Sequence, residues 1–354
     1  MNILVTGGAG FIGSALVKKL VNLRQFNILN IDNLSYSSNK STVDQKSSNS
    51  YRFIKCDITN KVEISNIINE FSPNIIFNLA AETHVDRSID NPEIFLKTNI
   101  LGTYNLIDAF LKNISKSSNK MHKFIHISTD EVFGSLEKND AAFSEASKYD
   151  PSSPYSASKA ASDHLVKAWG RTFGLPYIIT NCSNNFGPYQ FPEKFIPHTI
   201  INAIQGNKIP IYGNGRQIRD WLYVEDHISA LIEIGLSEEI NTLFNIGANC
   251  EKENIEVANI ICEILDQKMP INASKKSQSY KSQIEFVSDR PGHDKRYAIN
   301  SSKLINTLSW KAQKSFEENL EKTIEWYINN SNWWQEIIKS KYRLERLGNK
   351  AKIL

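Results

Sequence analysis

The sequence predicts an α/β protein: a doubly wound parallel sheet with a second, smaller C-terminal lobe. Two observations carry this expectation. Short, nearly wholly apolar runs alternate with amphipathic stretches through the first half of the chain, the pattern of strands buried on both faces between crossover helices. The first of those runs also leads into a glycine-rich turn, Gly7-Gly8-Ala9-Gly10-Phe11-Ile12-Gly13, that opens a helix.

Taken in order, Asn2 to Thr6 reads as a buried strand, and the helix behind the glycine turn runs to about Leu23. Phe26 to Ile31 is a second strand ending at Asp32, and the polar run Ser35 to Ser50 is a long loop. Tyr51 to Cys56 and Ile75 to Ala80 follow as strands, with a helix at Lys61 to Phe71 between them. A helix near Leu96 to Lys112 leads to a fifth strand, Lys123 to Ser128. After about Thr180, Pro188, Pro192, Pro197 and Pro210 break the rhythm, because proline neither donates to a ladder nor continues a helix. The expected division is a Rossmann domain at 1–180, a substrate-binding lobe at 181–330 from which the chain is free to cross back, and a tail at 331–354. Leu243 to Ile246 and Ile284 to Val287 read as strands of the lobe, and Ser274 to Ser282 as a loop. The tail, with Trp333 and Trp334, either docks on the body or stays partly loose.

At 354 residues, 41% hydrophobic and 22% charged, the composition is globular and the chain exceeds one average domain. A formal charge of +3, with both signs interleaved, indicates neither a nucleic-acid nor a membrane surface. No apolar run approaches the ~18 residues of a membrane helix, and glycines interrupt the place where a secretory signal has its apolar core. Cys56, Cys182, Cys250 and Cys262 lie far apart with no C-x-x-C pair, which argues against a metal knuckle, a redox pair or a disulfide framework. A cytoplasmic protein without metal is the expectation.

The glycine turn fits both G-x-G-x-x-G and G-x-x-G-x-x-G. Glycines let the backbone approach a pyrophosphate at a helix N-terminus, where unpaired N–H groups and the helix dipole favour anions. A tight turn by itself requires no ligand. The strand before it, the helix after it, and Asp32 roughly 20 residues on, where a ribose hydroxyl is bound, together indicate a dinucleotide. No arginine follows Asp32 to meet a 2′-phosphate, so the cofactor reads as NAD rather than NADP.

Tyr155 and Lys159 are four residues apart, on one face of a helix that Ser153 can cap and Pro154 open. Such pairs are common on helix surfaces. Beside a dinucleotide turn, the Lys159 cation is expected to lower the Tyr155 phenol from its usual value near ~10. The phenolate can then take a proton from a sugar hydroxyl as hydride leaves for nicotinamide. Thr129, Asp130 and Glu131 stand at the end of the fifth strand, where doubly wound sheets bind ligands. Adjacent carboxyl groups suit an elimination, in which an ionised one removes a carbon-bound proton and a protonated one serves the departing hydroxyl. The same residues also make good caps, and spacing alone leaves both readings open.

The glycine turn with Y-x-x-x-K resembles the extended short-chain dehydrogenase/reductase superfamily, which holds NAD and often acts on nucleotide sugars. Within it, Asn78 to Ser88 (NLAAETHVDRS), Thr129-Asp130-Glu131, Asn184 to Lys194 (NNFGPYQFPEK), Arg219 to His227 (RDWLYVEDH) and Asp289 to Asp294 (DRPGHD) are similar to the dTDP-glucose 4,6-dehydratase family, in register from residue 2 to about residue 330. The resemblance implies that Thr129 binds the sugar, Tyr155 deprotonates its C4 hydroxyl with Lys159 beside it, Glu131 takes the C5 proton, and Asp130 protonates the C6 hydroxyl. Hydride then returns to C6. It implies a cofactor shell of Gly7, Gly10, Phe11, Ile12, Gly13, Asp32, Asn33, Leu34, Ser35, Asp57, Ile58, Leu79, Ala80, Ala81, Thr98, Tyr155, Lys159 and Asn185. The nucleotide-sugar shell would be Thr83, His84, Thr129, Asn184, Lys194, Phe195, Pro210, Ile211, Tyr212, Arg219, Asn254, Asp289, Arg290 and His293. Arg219 and Arg290 make chemical sense there, since guanidinium forks match phosphate oxygens.

Thr83 stands where the family carries Ser, and the similarity fades beyond about Trp334. A homodimer joined through helices near Thr98 to Leu111 and Ser156 to Trp169 is also implied. Competing readings are a 4-epimerase or 4,6-dehydratase of a UDP- or GDP-hexose, and a non-catalytic NAD-binding sensor. The Asp130–Glu131 pair argues against simple epimerisation, and the four intact groups Tyr155, Lys159, Asp130 and Glu131 argue against a sensor.

Overall fold

The computed structural model describes residues 1–43, 50–116, 121–271, 279–345 and 347–348. Strand β1 (Asn2–Thr6) feeds helix α1 (Phe11–Leu23); β2 (Asn27–Asp32), β3 (Tyr51–Lys55), α2 (Lys61–Phe71) and β4 (Ile75–Asn78) follow. Short helices α3 (Val85–Asp90) and α4 (Pro92–Phe95) run through a wide π-helical turn, Leu96–Gly102, into α5 (Thr103–Ile114). Next come β5 (Lys123–Thr129), α6 (Pro154–Phe173), β6 (Tyr177–Cys182), β7 (Asn184–Phe186), α7 (Phe195–Gln205), β8 (Ile209–Tyr212), β9 (Ile218–Tyr223), α8 (Val224–Leu236) and β10 (Thr242–Ile246). The chain ends with β11 (Glu251–Glu253), α9 (Asn254–Lys268), β12 (Ile284–Val287), α10 (Ser302–Leu308), α11 (Phe316–Asn329) and α12 (Ser331–Ser340).

Seven parallel strands make the central sheet in the order β10-β6-β5-β4-β1-β2-β3. Every residue of β4, β5 and β6 is buried, as expected of strands covered on both faces. The strand order reverses between β1 and β4, and the crevice beyond their carboxyl ends is where such sheets take ligands.

One strand differs from expectation. Leu243 to Ile246 belongs to the main sheet, paired to β6 from Thr242↔Ile178 to Ile246↔Cys182, and not to the smaller lobe. A short apolar strand carries no mark of the sheet it joins, and here burial of Phe244 and Ile246 in the first core decides. On that side Ile228, Leu231 and Ile234 of α8 pack in the same cluster as Leu16, Val17 and Leu20 of α1.

The smaller lobe has its own sheets, β11-β9-β7 and β12-β8, and its own core around Ile200, Ile261, Leu265, Leu320 and Tyr327. Helix α12 docks on that core: Trp334 is buried and its Nε1 donates to the Tyr327 carbonyl at 2.8 Å. Within the stretch read as a loop, Lys40–Val43 winds into a 3-10 turn; residues 44–49 lie outside the described residues, as do 274–278 and 349–354. Tyr280–Gln283 forms another such turn. Among the described residues no helix is long and apolar enough to cross a membrane.

Candidate active site

Close packing fixes the glycine turn. Gly7 has φ +70°, and a Cβ there would lie 2.7 Å from the Ala80 nitrogen of the segment after β4. A Cβ at Gly13 would lie 2.1 Å from the Gly7 carbonyl oxygen. Helix α1 starts at Gly10 with no side-chain cap, so its first N–H groups are free for an anion, as a dinucleotide diphosphate requires. Asp32, buried at the end of β2, accepts from the Ala9 N–H at 3.0 Å and the Leu34 N–H at 2.7 Å. The acid expected at the ribose therefore also braces the glycine turn.

One cleft brings most of the expected residues together. Gly7, Gly10, Phe11, Ile12, Gly13, Asp32, Asn33, Ser35, Ile58, Leu79, Ala80, Ala81, Thr98 and Asn185 line it, with Thr83, Thr129, Asp130, Glu131, Tyr155, Lys159, Asn184 and Lys194. Leu34 and Asp57 are not in that lining. Leu34 contributes its N–H to Asp32, and Asp57 accepts from the Asn33 side chain at 3.0 Å.

Thr129 ends β5, and its hydroxyl oxygen accepts from the Glu131 N–H at 3.3 Å, capping the single 3-10 turn Asp130–Phe133. The cap reading of these residues thus holds together with their place in the cleft. Asp130 is 1% exposed, and burial, then the like charges of Glu131 and Asp220, push its carboxyl well above the usual range. Glu131 lines the cleft as well. Surrounding protein raises its pKa too, but Arg290, Lys194 and Arg219 oppose the rise. Two adjacent carboxyl groups are therefore biased differently: Asp130 keeps a proton, and Glu131 loses its own more readily.

Helix α6 opens with a reciprocal capping box, in which Ser156 N–H donates to Ser153 Oγ at 3.1 Å and Ser153 N–H to Ser156 Oγ at 3.0 Å. Tyr155 and Lys159 sit in its first turns, both buried. The expectation that Lys159 lowers the Tyr155 phenol is not met. Burial, then Glu131, hold that phenol well above its usual value. Desolvation disfavours phenolate, and the Lys159 ammonium is turned to β5, where it donates to the Ile127 carbonyl at 2.8 Å.

The rest of the expected sugar-nucleotide shell lies outside the cleft lining. Tyr212 OH and Arg290 both donate to Asp86, at 3.3 and 3.0 Å. Arg219 stacks on the Tyr297 ring, 4.3 Å from its centroid, and donates to the carbonyls of Ile218 and Asp294. His293 Nδ1 lies 2.6 Å from Asp289; burial, then Arg290 and Arg219, bring its pKa down to about 4, so a neutral imidazole donates to the Asp289 carboxylate. His84 caps α3 through Nδ1, also held neutral by burial. Phe195 stacks on Trp221, Ile211 is buried in the lobe core beside Pro210 on β8, and Asn254 opens α9.

Glu82, Ser128, Ser183, Gln190 and Glu193 also line the cleft and were not anticipated. Glu193 had a signal in its neighbour Lys194. Its buried carboxylate accepts from Arg87 at 2.7 Å and from Tyr36 OH at 2.9 Å.

A family model described as GDP-mannose 4,6 dehydratase matches residues 4–323. The chain is 49% identical, over 97% of each chain, to the dTDP-glucose 4,6-dehydratase of Shigella flexneri. It is similar to the crystal structure of DesIV, a dTDP-glucose 4,6-dehydratase from Streptomyces venezuelae with NAD and TYD bound, at TM-score 0.87 and 34% identity over 95% of this chain and 100% of that one. The dTDP-glucose 4,6-dehydratase of Bacillus anthracis in complex with NAD superposes at TM-score 0.83, with 41% identity over 95% and 99% of the two chains. Matched across nearly its whole length in both sequence and structure, the chain belongs to the dTDP-glucose 4,6-dehydratase family.

Proposed function

We propose that the protein converts dTDP-glucose to dTDP-4-keto-6-deoxyglucose and water, using NAD held along the Gly7–Gly13 turn. The observation that carries this reading is the Asp130–Glu131 pair beside Tyr155, one carboxyl raised well above the usual range and the other raised too but opposed by three cations. NAD supplies the hydride acceptor for C4 and the hydride donor for C6. Tyr155 takes the C4 hydroxyl proton as its phenolate, the form that the positive charge of bound NAD would favour against the burial that raises the phenol. Glu131 takes the C5 proton, acidified by the C4 ketone, and Asp130 gives its proton to the leaving C6 hydroxyl. Arg219, Arg290 and Lys194 supply positive charge suited to a nucleotide diphosphate.

Incubation with dTDP-, UDP- and GDP-hexoses tests this by mass. The dTDP-glucose product should be lighter by one water, and deuterium placed at C4 should reappear at C6. Label returned to C4 would make the protein an epimerase.

A homodimer through α5 and α6 belongs to the same reading. Tyr104, Leu111, Trp169 and Phe173 line one surface hollow there, and Phe173 is 60% exposed. Light scattering should give twice the chain mass, and Phe173→Asp should shift it toward the monomer. The four cysteines, all unpaired, fit a reducing cytoplasm.

A further inference from the structure

Tyr155, Lys159, Asp163 and Lys167 recur every fourth residue along α6 and so share a face. The reaction as described leaves Asp163 without a task. It is fully buried, and its Oδ2 accepts from the hydroxyls of Ser128 at 2.8 Å and Tyr149 at 3.0 Å. Its Oδ1 lies 3.3 Å from His126 Nε2.

Neighbouring hydrogen bonds fix the imidazole tautomer. Ala80 N–H donates to Thr6 Oγ1 at 3.1 Å, and Thr6 donates in turn to Asn78 Oδ1 at 2.8 Å. The Asn78 amide nitrogen therefore faces His126 Nδ1, at 3.1 Å, and Nδ1 accepts. The ring proton sits on Nε2 and goes to Ser162 Oγ at 3.1 Å, with Asp163 Oδ1 near it but not hydrogen-bonded. Ser162 uses its own proton on the Lys159 carbonyl, at 2.8 Å, and so accepts from the ring. Burial, then Lys159, bring His126 down to about 4, which keeps it neutral.

Lys159 Nζ lies 3.4 Å from that same Nε2. Burial pulls the ammonium toward losing its proton, and Asp163 is the foremost group opposing this. Cys182 of β6, the other group facing Lys159, is a neutral thiol pushed up to about 12. On its far side Asp163 meets Tyr149, whose hydroxyl is 3.5 Å from Lys167 Nζ. A buried cation needs a countercharge, and Asp163, buried one helical turn on from Lys159, is placed to be it through space.

We propose that Asp163, as the buried countercharge of Lys159, is a positioning residue for the hydride step: it keeps Lys159 charged and seated against β5 beside Tyr155. The proposal rests on the dehydratase reading above. Its test reads the oxidation half-reaction alone, in holoenzyme carrying Glu131→Gln, as NADH absorbance formed from dTDP-glucose across pH.

Asp163→Asn keeps an acceptor for Ser128 and Tyr149 but removes the charge. The alkaline limb of NADH formation should then move down by about one pH unit or more, with KM unchanged. In a Lys159→Arg background, where the cation does not deprotonate in this range, Asp163→Asn should not shift the pH profile. A purely structural role would lower rate and Tm at every pH without moving the limb, and would overturn the proposal.

A second measurement needs no turnover. In the otherwise unaltered holoenzyme labelled with 13C at lysine Cε, the signal lost on Lys159→Arg should titrate at lower pH in Asp163→Asn than in the unaltered chain. An unmoved titration would overturn the proposal while leaving the dehydratase reading intact. Absence of NADH from dTDP-glucose would refute the dehydratase reading, and the titration would still decide this one.

Discussion

What each carboxyl faces sets the charge of Asp130 and Glu131. Both line the cleft, but Asp130 has Glu131 and Asp220 as like charges near it, whereas Arg290, Lys194 and Arg219 act on Glu131. Glu131→Gln should therefore still oxidise C4 but lose ~10²–10⁴-fold in elimination, the usual cost of a general base, so that bound NADH accumulates on adding dTDP-glucose. Tyr155→Phe should give no NADH signal. If the two variants behave alike, the assignment of roles fails. The pH dependence of NADH consumption follows from the same environments. It should fall on the acid side as Glu131 is protonated, above the ordinary range of a glutamate, and on the alkaline side as Asp130 loses its proton. Asp220, itself pushed up to about 6 by burial, adds to the upward push on Asp130. Asp220→Asn should therefore move the alkaline limb to lower pH, and an unmoved limb would show that burial alone holds the Asp130 proton.

Among the elements, the β1–α1 turn is the least tolerant. Its conformation at Gly7 is left-handed, and an added Cβ would meet the Ala80 backbone, which cannot step aside as a side chain can. Gly7→Ala should yield protein with little or no NAD in the supernatant after denaturation, against a full complement in the unaltered chain. Retention of NAD by that variant would mean that the turn is not the cofactor's cradle. Helix α6 depends on its capping box in a gentler way. Ser153→Ala removes an acceptor worth about 1 kcal/mol at a helix start, in the turn that also carries Tyr155.

For the whole molecule, buried neutral histidines couple stability to pH. His126 titrates at about 4 and His227 at about 3, both because burial disfavours the charged ring. In the unfolded chain each takes a proton near the ordinary value of ~6.5. Between those limits the unfolded state binds more protons, so stability is fully present above about pH 6.5 and drains away as pH falls toward 4, by on the order of several kcal/mol. Tm should drop steadily over that window, and His227→Gln should flatten the slope. A Tm that stays level from pH 7 to about 4.5 would contradict the neutral, buried state of these rings.

Much of the molecule is legible in the chain because the constraints concerned are local. The glycine turn, Asp32 at the end of its strand, the Ser153 cap and the four-residue step from Tyr155 to Lys159 are all fixed by backbone geometry and spacing, and each stands where the sequence puts it. The succession of strands and helices along the first domain follows likewise from alternating apolar runs. Other features depend on residues far apart in sequence, and no local pattern records them. The sheet that claims Thr242–Ile246, the pairing of Asp86 with Arg290, and the buried Glu193 beneath Arg87 and Tyr36 are decided by which surfaces bury each other. Charge states belong to the same class. The sequence alone pairs Tyr155 with a cation that should lower its phenol, but tertiary burial raises it, because removing water from an ionisable group outweighs a neighbour whose ammonium is turned to the Ile127 carbonyl.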